Sequence, residues 1–333
     1  MKKRVRAGEP VLKQLWLFSQ INKDLQRVEN DLTQFVGTDY PILQDSAVHL
    51  LAAGGKRLRP AFTLLAGKFY GYPLEKLIPV AMALELIHMA TLVHDDVVDA
   101  SMTRRGRPTV KAKWGNIVSV QTGDYLLSKS LMLISKIDNP EVSRILAEVS
   151  VEMCQGEIQQ IKCSFDVEQN LKQYYYRIKR KTALLISACC RLGGLVSGAP
   201  RRQVWALGAY GHSLGMAFQI VDDVLDMTAK ASEFGKPIGG DVHQGIMTLP
   251  MILALKLSTD PAPLKALLGK VDKTDDEVAE TIDLIKATGA IDRSMHLVDL
   301  YVLKAKRHLQ ELPSVPTRKA LEELAEFIRI RKF

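Results

Sequence analysis

KLIPVAMALELIHMATLVHDDVVD, residues 76–99, is the stretch that decides the fold. It is apolar at nearly every position, without the strict alternation of a strand or the single apolar stripe of a surface helix. A helix apolar all round belongs in the middle of a protein or in a membrane, and the carboxylates that close this run favour the middle of a protein. AYGHSLGMAFQIVDDVLDMT, residues 209–228, repeats the pattern, again apolar and again ending in aspartates. Working outward, residues 11–35 and 43–53 read as amphipathic helices separated near Gly37 and Pro41. Thr274 with Glu277 three residues on predicts a capping box, Gly289 the stop of that helix, and Pro313 and Pro316 the approach to a last helix with Leu321, Leu324 and Ile328 on one face. Loops are expected at 100–109, 230–247 and 258–263. No series of alternating strands is present, so the expectation is an all-α fold.

The bulk properties agree. The chain has 333 residues, 47% hydrophobic and 25% charged, which suits a globular protein with a large core. No long Pro/Gly/Ser linker divides it, so residues 1–333 read as a single domain, with 1–10 as a flexible basic tail. The apolar runs, broken by aspartates or by Arg191, read as shorter than the roughly 18 residues a spanning helix needs. The basic start at Met1–Arg6 is not followed by the apolar segment of a signal peptide. Cys154, Cys163, Cys189 and Cys190 show no CxxC spacing, which argues against structural zinc and for small buried side chains in a reducing cytoplasm. The formal net charge of +8 points to anionic partners.

The chemistry lies in a motif that occurs twice, Asp95-Asp96-Val97-Val98-Asp99 and Asp222-Asp223-Val224-Leu225-Asp226. With 21 Asp in the chain, roughly 0.08 chance matches to DDxxD are expected, so two are not an accident. On a helix, Asp95 and Asp99 share a face, as do Asp222 and Asp226. Acidic side chains favour helix N-termini, whereas these follow long apolar runs. Carboxylates packed beside apolar surface need countercharge, and an all-oxygen donor set suits Mg²⁺, which binds through a few carboxylates together with substrate phosphates. Basic residues alternate with the acidic clusters: Lys56-Arg57-Leu58-Arg59 after Gly54-Gly55, Arg104-Arg105-Gly106-Arg107, Lys179-Arg180-Lys181-Thr182 opening another helix, and Lys236 after Gly235. Arg offers bidentate contacts to phosphate and Lys a movable charge. No interleaved stacking aromatics or recognisable module points to nucleic acid. Together these features indicate a Mg²⁺-diphosphate site beside apolar walls, suited to a greasy substrate and a carbocation kept from water.

These residues carry a resemblance. GGKRLRP (54–60), HDDVVDASMTRRGRPT (94–109), KRKTALL (179–185), FQIVDDVLD (218–226) and GKPIGGD (235–241) resemble the blocks of the trans-isoprenyl diphosphate synthases, in order and nearly end to end. AVHLLAAGGKRLRP, GEIQQIK and the final Arg-Lys-Phe are most similar to the catalytic components of that family's bacterial heptaprenyl branch. The resemblance implies an isoprenoid synthase-type helical bundle around a central apolar cavity. It implies that an allylic diphosphate ionises, that isopentenyl diphosphate attacks the cation, and that the departing diphosphate takes the proton. Asp95, Asp99 and Asp222 would hold Mg²⁺, about three ions per site, with Asp96, Asp223 and Asp226 completing the clusters. Lys56, Arg59, His88 and Arg105 match positions that bind isopentenyl diphosphate; Arg104, Lys181, Thr182, Gln219 and Lys236 match positions that bind the allylic diphosphate. Ile246 departs from the family, which often has Lys or a polar residue there. His94 has no assigned role, and Tyr174-Tyr175-Tyr176 reads as core packing.

Two further expectations concern product and partners. Ala90 and Thr91, five and four residues before Asp95, are small where short-chain relatives carry Phe or Tyr, so a long product is expected; the run of about 20 residues spans roughly 30 Å. The resemblance also implies a heterodimer with a small non-catalytic subunit, with a homodimer as the alternative, a role in menaquinone side-chain synthesis, and a cytoplasmic enzyme in peripheral contact with the membrane. Other chain lengths, a terpene cyclase and a regulatory subunit are the competing readings; the intact second DDxxD motif argues against the last two.

Overall fold

In the computed structural model the described residues are 20–229 and 238–330. The run that opened the sequence is helix α4, Leu74–Val98, and it is buried from Leu77 to Val93 on nearly all sides. It packs most extensively on α5 (Val110–Ile134), then on α3 (Leu58–Gly67) and α1 (Asn22–Phe35), while α2 (Pro41–Ala52) packs on α5. By length and composition α4 could cross a membrane, a longer apolar helix than the sequence suggested, yet 72% of its most apolar window is buried inside the fold. It is a core helix. The second run lies in α9, Arg201–Thr228, which packs on α8 (Leu184–Val196) and on α14 (Ala290–Leu309).

α6 (Pro140–Lys162) and α7 (Leu171–Ile178) complete the wall around the acidic helix ends; α11 (Leu249–Leu257) and α15 (Pro316–Ile330) pack on α14, and α13 (Asp275–Ala287) packs on α14 and on α12 (Ala262–Gly269). A short turn, α10 (Gly240–His243), sits beside the end of α9. The architecture is the expected all-α bundle. Thr274 and Glu277 form the capping box, with Thr274 Oγ1 accepting from Glu277 N at 3.2 Å and Glu277 Oε2 accepting from Thr274 N at 2.9 Å. Gly289 takes φ 75° just past that helix, and Leu321, Leu324 and Ile328 are buried in α15.

Three expectations need correction. Lys179–Thr182 does not open a helix: Lys179–Ala183 is a π-helical turn joining α7 to α8 without a break. Its extra residue per turn is accommodated by two close approaches. A side chain at Gly156 of α6 would meet Arg180 Cβ at 2.8 Å, and one at Gly215 of α9 would meet Ala183 Cα at 2.6 Å. π-Turns of this kind concentrate at functional sites. Secondly, the 100–109 loop contains a hairpin, β1 (Thr103–Arg104) paired with β2 (Arg107–Pro108). Its two turn residues, Arg105 and Gly106, both have positive φ, 53° and 71°, as a tight type I′ turn demands. Thirdly, only Cys189 and Cys190 are buried; Cys163 is half-buried and Cys154 is exposed, all four as free thiols. α1 begins at Asn22; residues 11–19 of the expected 11–35 helix, the 1–10 tail, Lys236 and the final Arg-Lys-Phe lie outside the described residues.

Candidate active site

The C-terminal ends of α4 and α9 open into one cavity of about 430 Å³. Its walls include Asp99, Gln160, Lys181, Gln219, Asp223, Asp226 and Asp241. Both acidic motifs therefore face one space, although 127 residues of sequence separate their first aspartates (Asp95 and Asp222).

In the first cluster Asp95 is largely shielded and its carboxyl is pushed up to about 6, by burial first and by Glu157 and Asp99, against the pull of Lys181. Asp99 caps the helix and lines the cavity. Asp96 is 1% exposed and turned inward. Arg104 Nε and Nη2 both reach its Oδ1, at 2.9 and 2.8 Å. In this state Arg104 is held by Asp96, and the pair anchors the hairpin to the end of α4.

The second cluster is built from hydrogen bonds. Asp223 is 3% exposed; it accepts from Tyr174 Oη at 2.7 Å and from Gln219 Nε2 at 2.9 Å, while Gln219 Oε1 accepts from Thr182 Oγ1 at 2.6 Å. Thr182 and Gln219 thus orient the cluster as well as lining it. Tyr174 is core, as its sequence suggested, but its hydroxyl serves the acidic cluster. Asp226 accepts the backbone N–H of Gly240 at 3.2 Å and of Asp241 at 3.1 Å. Burial, reinforced by the Asp241 charge, raises the carboxyls of Asp223 and Asp226 well above the usual range. Asp222 is half-buried. Asp241 was not singled out from sequence; the available signal was the acidic end of GKPIGGD.

Lys181 lies between the clusters. Its Nζ is 2.9 Å from Glu157 Oε2, 3.3 Å from Gln160 Oε1 and 4.0 Å from Asp95 Oδ2. Burial disfavours its charge, but Asp95 and Glu157 outweigh burial and raise its affinity for the proton. Glu157 and Gln160 are also residues that the sequence reading quoted, within GEIQQIK, without assigning. Arg180 turns the other way, pairing with Glu152 at 2.8 Å and covering the Tyr176 ring. Ile246 forms an apolar piece of the cavity wall beside Gln244 and Thr248.

A cationic cluster gathers around His88, two turns before Asp95 on α4. The guanidinium of Arg105 folds back onto Gly54 O, and a side chain at Gly55 would collide with it at 2.7 Å. The hairpin and the Gly-Gly loop are thereby joined, placing Arg105 over the segment that carries Lys56 and Arg59. His88 has its protonation pushed far down by burial first, then by Arg59, Arg105, Arg104 and Arg57. It is a neutral imidazole among four guanidinium charges, a setting that favours a polyanion. Arg57, read from sequence as one cation of the loop, is instead locked to Glu29 at 2.6 Å and Glu85 at 3.0 Å. His94 faces away from the cavity, lying over Gly123 of α5 with Nε2 3.3 Å from Val120 O. Ala90 is 3% exposed; Thr91 is half-buried, its Oγ1 donating to His88 O at 2.8 Å.

The donor set fits Mg²⁺. All candidate ligands are carboxylate oxygens, and burial leaves them short of countercharge. Among the described residues no three acidic, His or Cys groups converge to hold an ion unaided. Mg²⁺ keeps several waters and takes a few carboxylates together with substrate phosphates. Asp95, Asp99, Asp222 and Asp226 are the residues that would contribute.

Comparison with known proteins is consistent with this geometry. A family profile described as Polyprenyl synthetase matches residues 40–285. The chain is 46% identical over 316 residues to heptaprenyl diphosphate synthase component 2 of Bacillus subtilis, covering 95% of this chain and 90% of that one. It is 47% identical to the protein of the same name from Geobacillus stearothermophilus, covering 95% and 98%. Among solved structures, heptaprenyl diphosphate synthase from Staphylococcus aureus superposes with a TM-score of 0.89 at 36% identity, covering 94% and 99%. A polyprenyl synthase from Caulobacter crescentus, complexed with calcium and isoprenyl diphosphate, superposes with a TM-score of 0.92 at 34% identity, covering 99% and 100%.

Proposed function

The chain belongs to the polyprenyl synthetase family, and from that membership we propose that it condenses isopentenyl diphosphate onto an allylic diphosphate to build a long all-trans product of heptaprenyl length. The observation that carries this reading is the sharing of one cavity by both aspartate motifs, with Lys181 between them and a cluster of guanidinium groups around His88, two turns back on α4.

The chemistry follows from charge. The allylic C–O bond breaks with its electron pair leaving on the diphosphate. The isopentenyl double bond attacks the allylic carbon, and a proton leaves the new cation to the released diphosphate. Bound Mg²⁺ supplies the charge that makes diphosphate a good leaving group. Lys181 gives a movable cation on the same side, held ready by Glu157 and Gln160. The Thr182–Gln219–Asp223–Tyr174 chain fixes the second cluster before substrate arrives, so little reorganisation accompanies ionisation. Arg59, Arg105, Lys56 and neutral His88 receive the isopentenyl diphosphate, and Arg104, Lys236 and Lys181 the allylic one. Ala90 and Thr91 leave room for a growing chain beside α4. Residues 1–333 act as one catalytic domain in the cytoplasm; the comparisons lend no support to membrane attachment.

Both bacterial relatives carry the name component 2, which supports a second subunit. Two helices consecutive in sequence carry exposed apolar residues for it. On α6, Val151, Cys154, Ile158 and Ile161 are exposed at helical spacing, and α5 exposes Ile117, Leu131 and Met132. Exposed apolar residues lining up on consecutive helices mark an interaction face.

The test is turnover of labelled isopentenyl diphosphate with farnesyl diphosphate and Mg²⁺, with and without the candidate small subunit, resolving product length. A heptaprenyl end-point supports the reading. Only short products would reject the chain-length assignment, and a cyclic hydrocarbon would reject the reaction.

A further inference from the structure

Glu85 has no part in the chemistry above, yet it is the most conspicuous charge in the cationic cluster. It lies one turn before His88 on α4 and is 4% exposed. Its Oε1 accepts from Arg57 Nη1 at 3.0 Å, and its Oε2 is buried without a hydrogen-bond partner. The Nε of Arg59 is likewise buried without a partner. Burial works against the charged form of both Arg59 and Arg105, and for each the strongest opposing influence is Glu85. One carboxylate is therefore the shared counterion of three guanidinium groups whose like charges would otherwise drive them apart.

We propose that Glu85 is a positioning residue for isopentenyl diphosphate: when the diphosphate binds, the two atoms that stand unpartnered in this structure, Glu85 Oε2 and Arg59 Nε, pair with each other, so that the two terminal nitrogens of Arg59 face the diphosphate. The proposal rests on the functional reading above. A guanidinium has five N–H donors in a fixed plane. With Nε held from behind, the Nη pair presents a bidentate edge to a phosphate. Glu85 does not touch the substrate; it sets the direction of a group that does. Glu29, the other carboxylate on Arg57, is more exposed and forms no part of the surroundings that govern Arg59. It separates simple support of Arg57 from orientation of Arg59.

The experiment compares Glu85→Gln, Glu85→Asp and Glu29→Gln in the full chain with its partner subunit. It measures KM for each substrate, kcat, thermal stability, and calorimetric binding of isopentenyl diphosphate alone. The expected result for Glu85→Gln is a rise of about tenfold or more in KM for isopentenyl diphosphate, with the allylic KM within about threefold and kcat little changed. Glu85→Asp recovers part of the loss, and Glu29→Gln leaves the isopentenyl KM near wild type. An unchanged isopentenyl KM in Glu85→Gln, an equal rise for both substrates, or the same effect from Glu29→Gln would overturn the proposal. If Glu85→Gln does not fold, Glu85→Asp decides, since an unchanged isopentenyl KM there also overturns it. A wild-type chain that binds isopentenyl diphosphate but makes no prenyl product would sink the functional reading alone, leaving the binding comparison to judge Glu85.

Discussion

Arg104 places both Nε and Nη2 on a single oxygen of Asp96, at 2.9 and 2.8 Å, with Asp96 almost fully enclosed. The middle aspartate of the first motif is thus a fastener between the end of α4 and the hairpin, while Asp95 and Asp99 are left to the cavity. Removing one partner of a buried pair strands the other, at a cost of about 3–5 kcal/mol. Asp96→Ala should therefore lower the melting temperature clearly, and Asp99→Ala only slightly, although both lose activity. Equal melting temperatures for the two variants would show that Asp96 does not fasten the hairpin.

Lys181, carried on the π-turn, lines the cavity that both acidic motifs face. Lys181→Ala should reduce kcat/KM for the allylic substrate by about a hundredfold, the scale of losing a charged transition-state contact. Glu157→Gln should cost less, about tenfold, because it only loosens the lysine. Steady-state kinetics at saturating isopentenyl diphosphate distinguish the two; a larger loss in Glu157→Gln would reverse the assigned roles.

Product length should respond at Ala90 and Thr91, but unequally in stability. Ala90 is enclosed, so Ala90→Phe overpacks the core and costs about 1–3 kcal/mol as well as shortening the product. Thr91 is half-buried, and Thr91→Phe should shorten the product with a smaller loss of stability. Chromatography of the products and a thermal melt of each variant check this. Unaltered length in both would remove these residues from the product channel.

The raised carboxyls tie stability to pH and metal. Burial lifts Asp95 to about 6 and lifts Asp223 and Asp226 further above their unfolded value near 3.8. A group held above its unfolded value stabilises the fold fully at low pH and loses that contribution as pH rises through its folded value. In metal-free protein this cluster's contribution should be complete below about pH 4 and decline from there through pH 6 and beyond. Mg²⁺ binds the ionised form, so its stabilising effect should grow over the same window and its binding should release protons. Thermal melts with and without Mg²⁺ from pH 5 to 8, and calorimetry in buffers of different ionisation enthalpy, read this directly. A Mg²⁺-induced shift that does not increase with pH would refute it.

Much of this was legible in the chain itself, because the signals were local. The two all-round apolar runs determined that α4 and α9 are core helices, since only an interior can pay for such side chains. The repeated DDxxD pattern determined the chemistry, because carboxylates at i and i+4 share a helix face wherever the helix lies. The capping box at Thr274 and the stop at Gly289 are interactions between near neighbours and could be read directly. Tertiary structure decided what depends on residues far apart. Lys179–Thr182 looked like a helix start, but it lies in a π-turn that Gly156 and Gly215 of two other helices approach closely. The division of labour within each aspartate triplet was invisible for the same reason: Asp96 is claimed by Arg104 and Asp223 by Tyr174 and Gln219, partners that only packing brings within hydrogen-bonding distance. Arg57 and Arg59 are two residues apart and chemically alike, yet one is locked to Glu29 and the other faces the cationic cluster. Sequence names the charges; burial, which acts through the whole fold, determines which of them stay paired and which are left for substrate and metal.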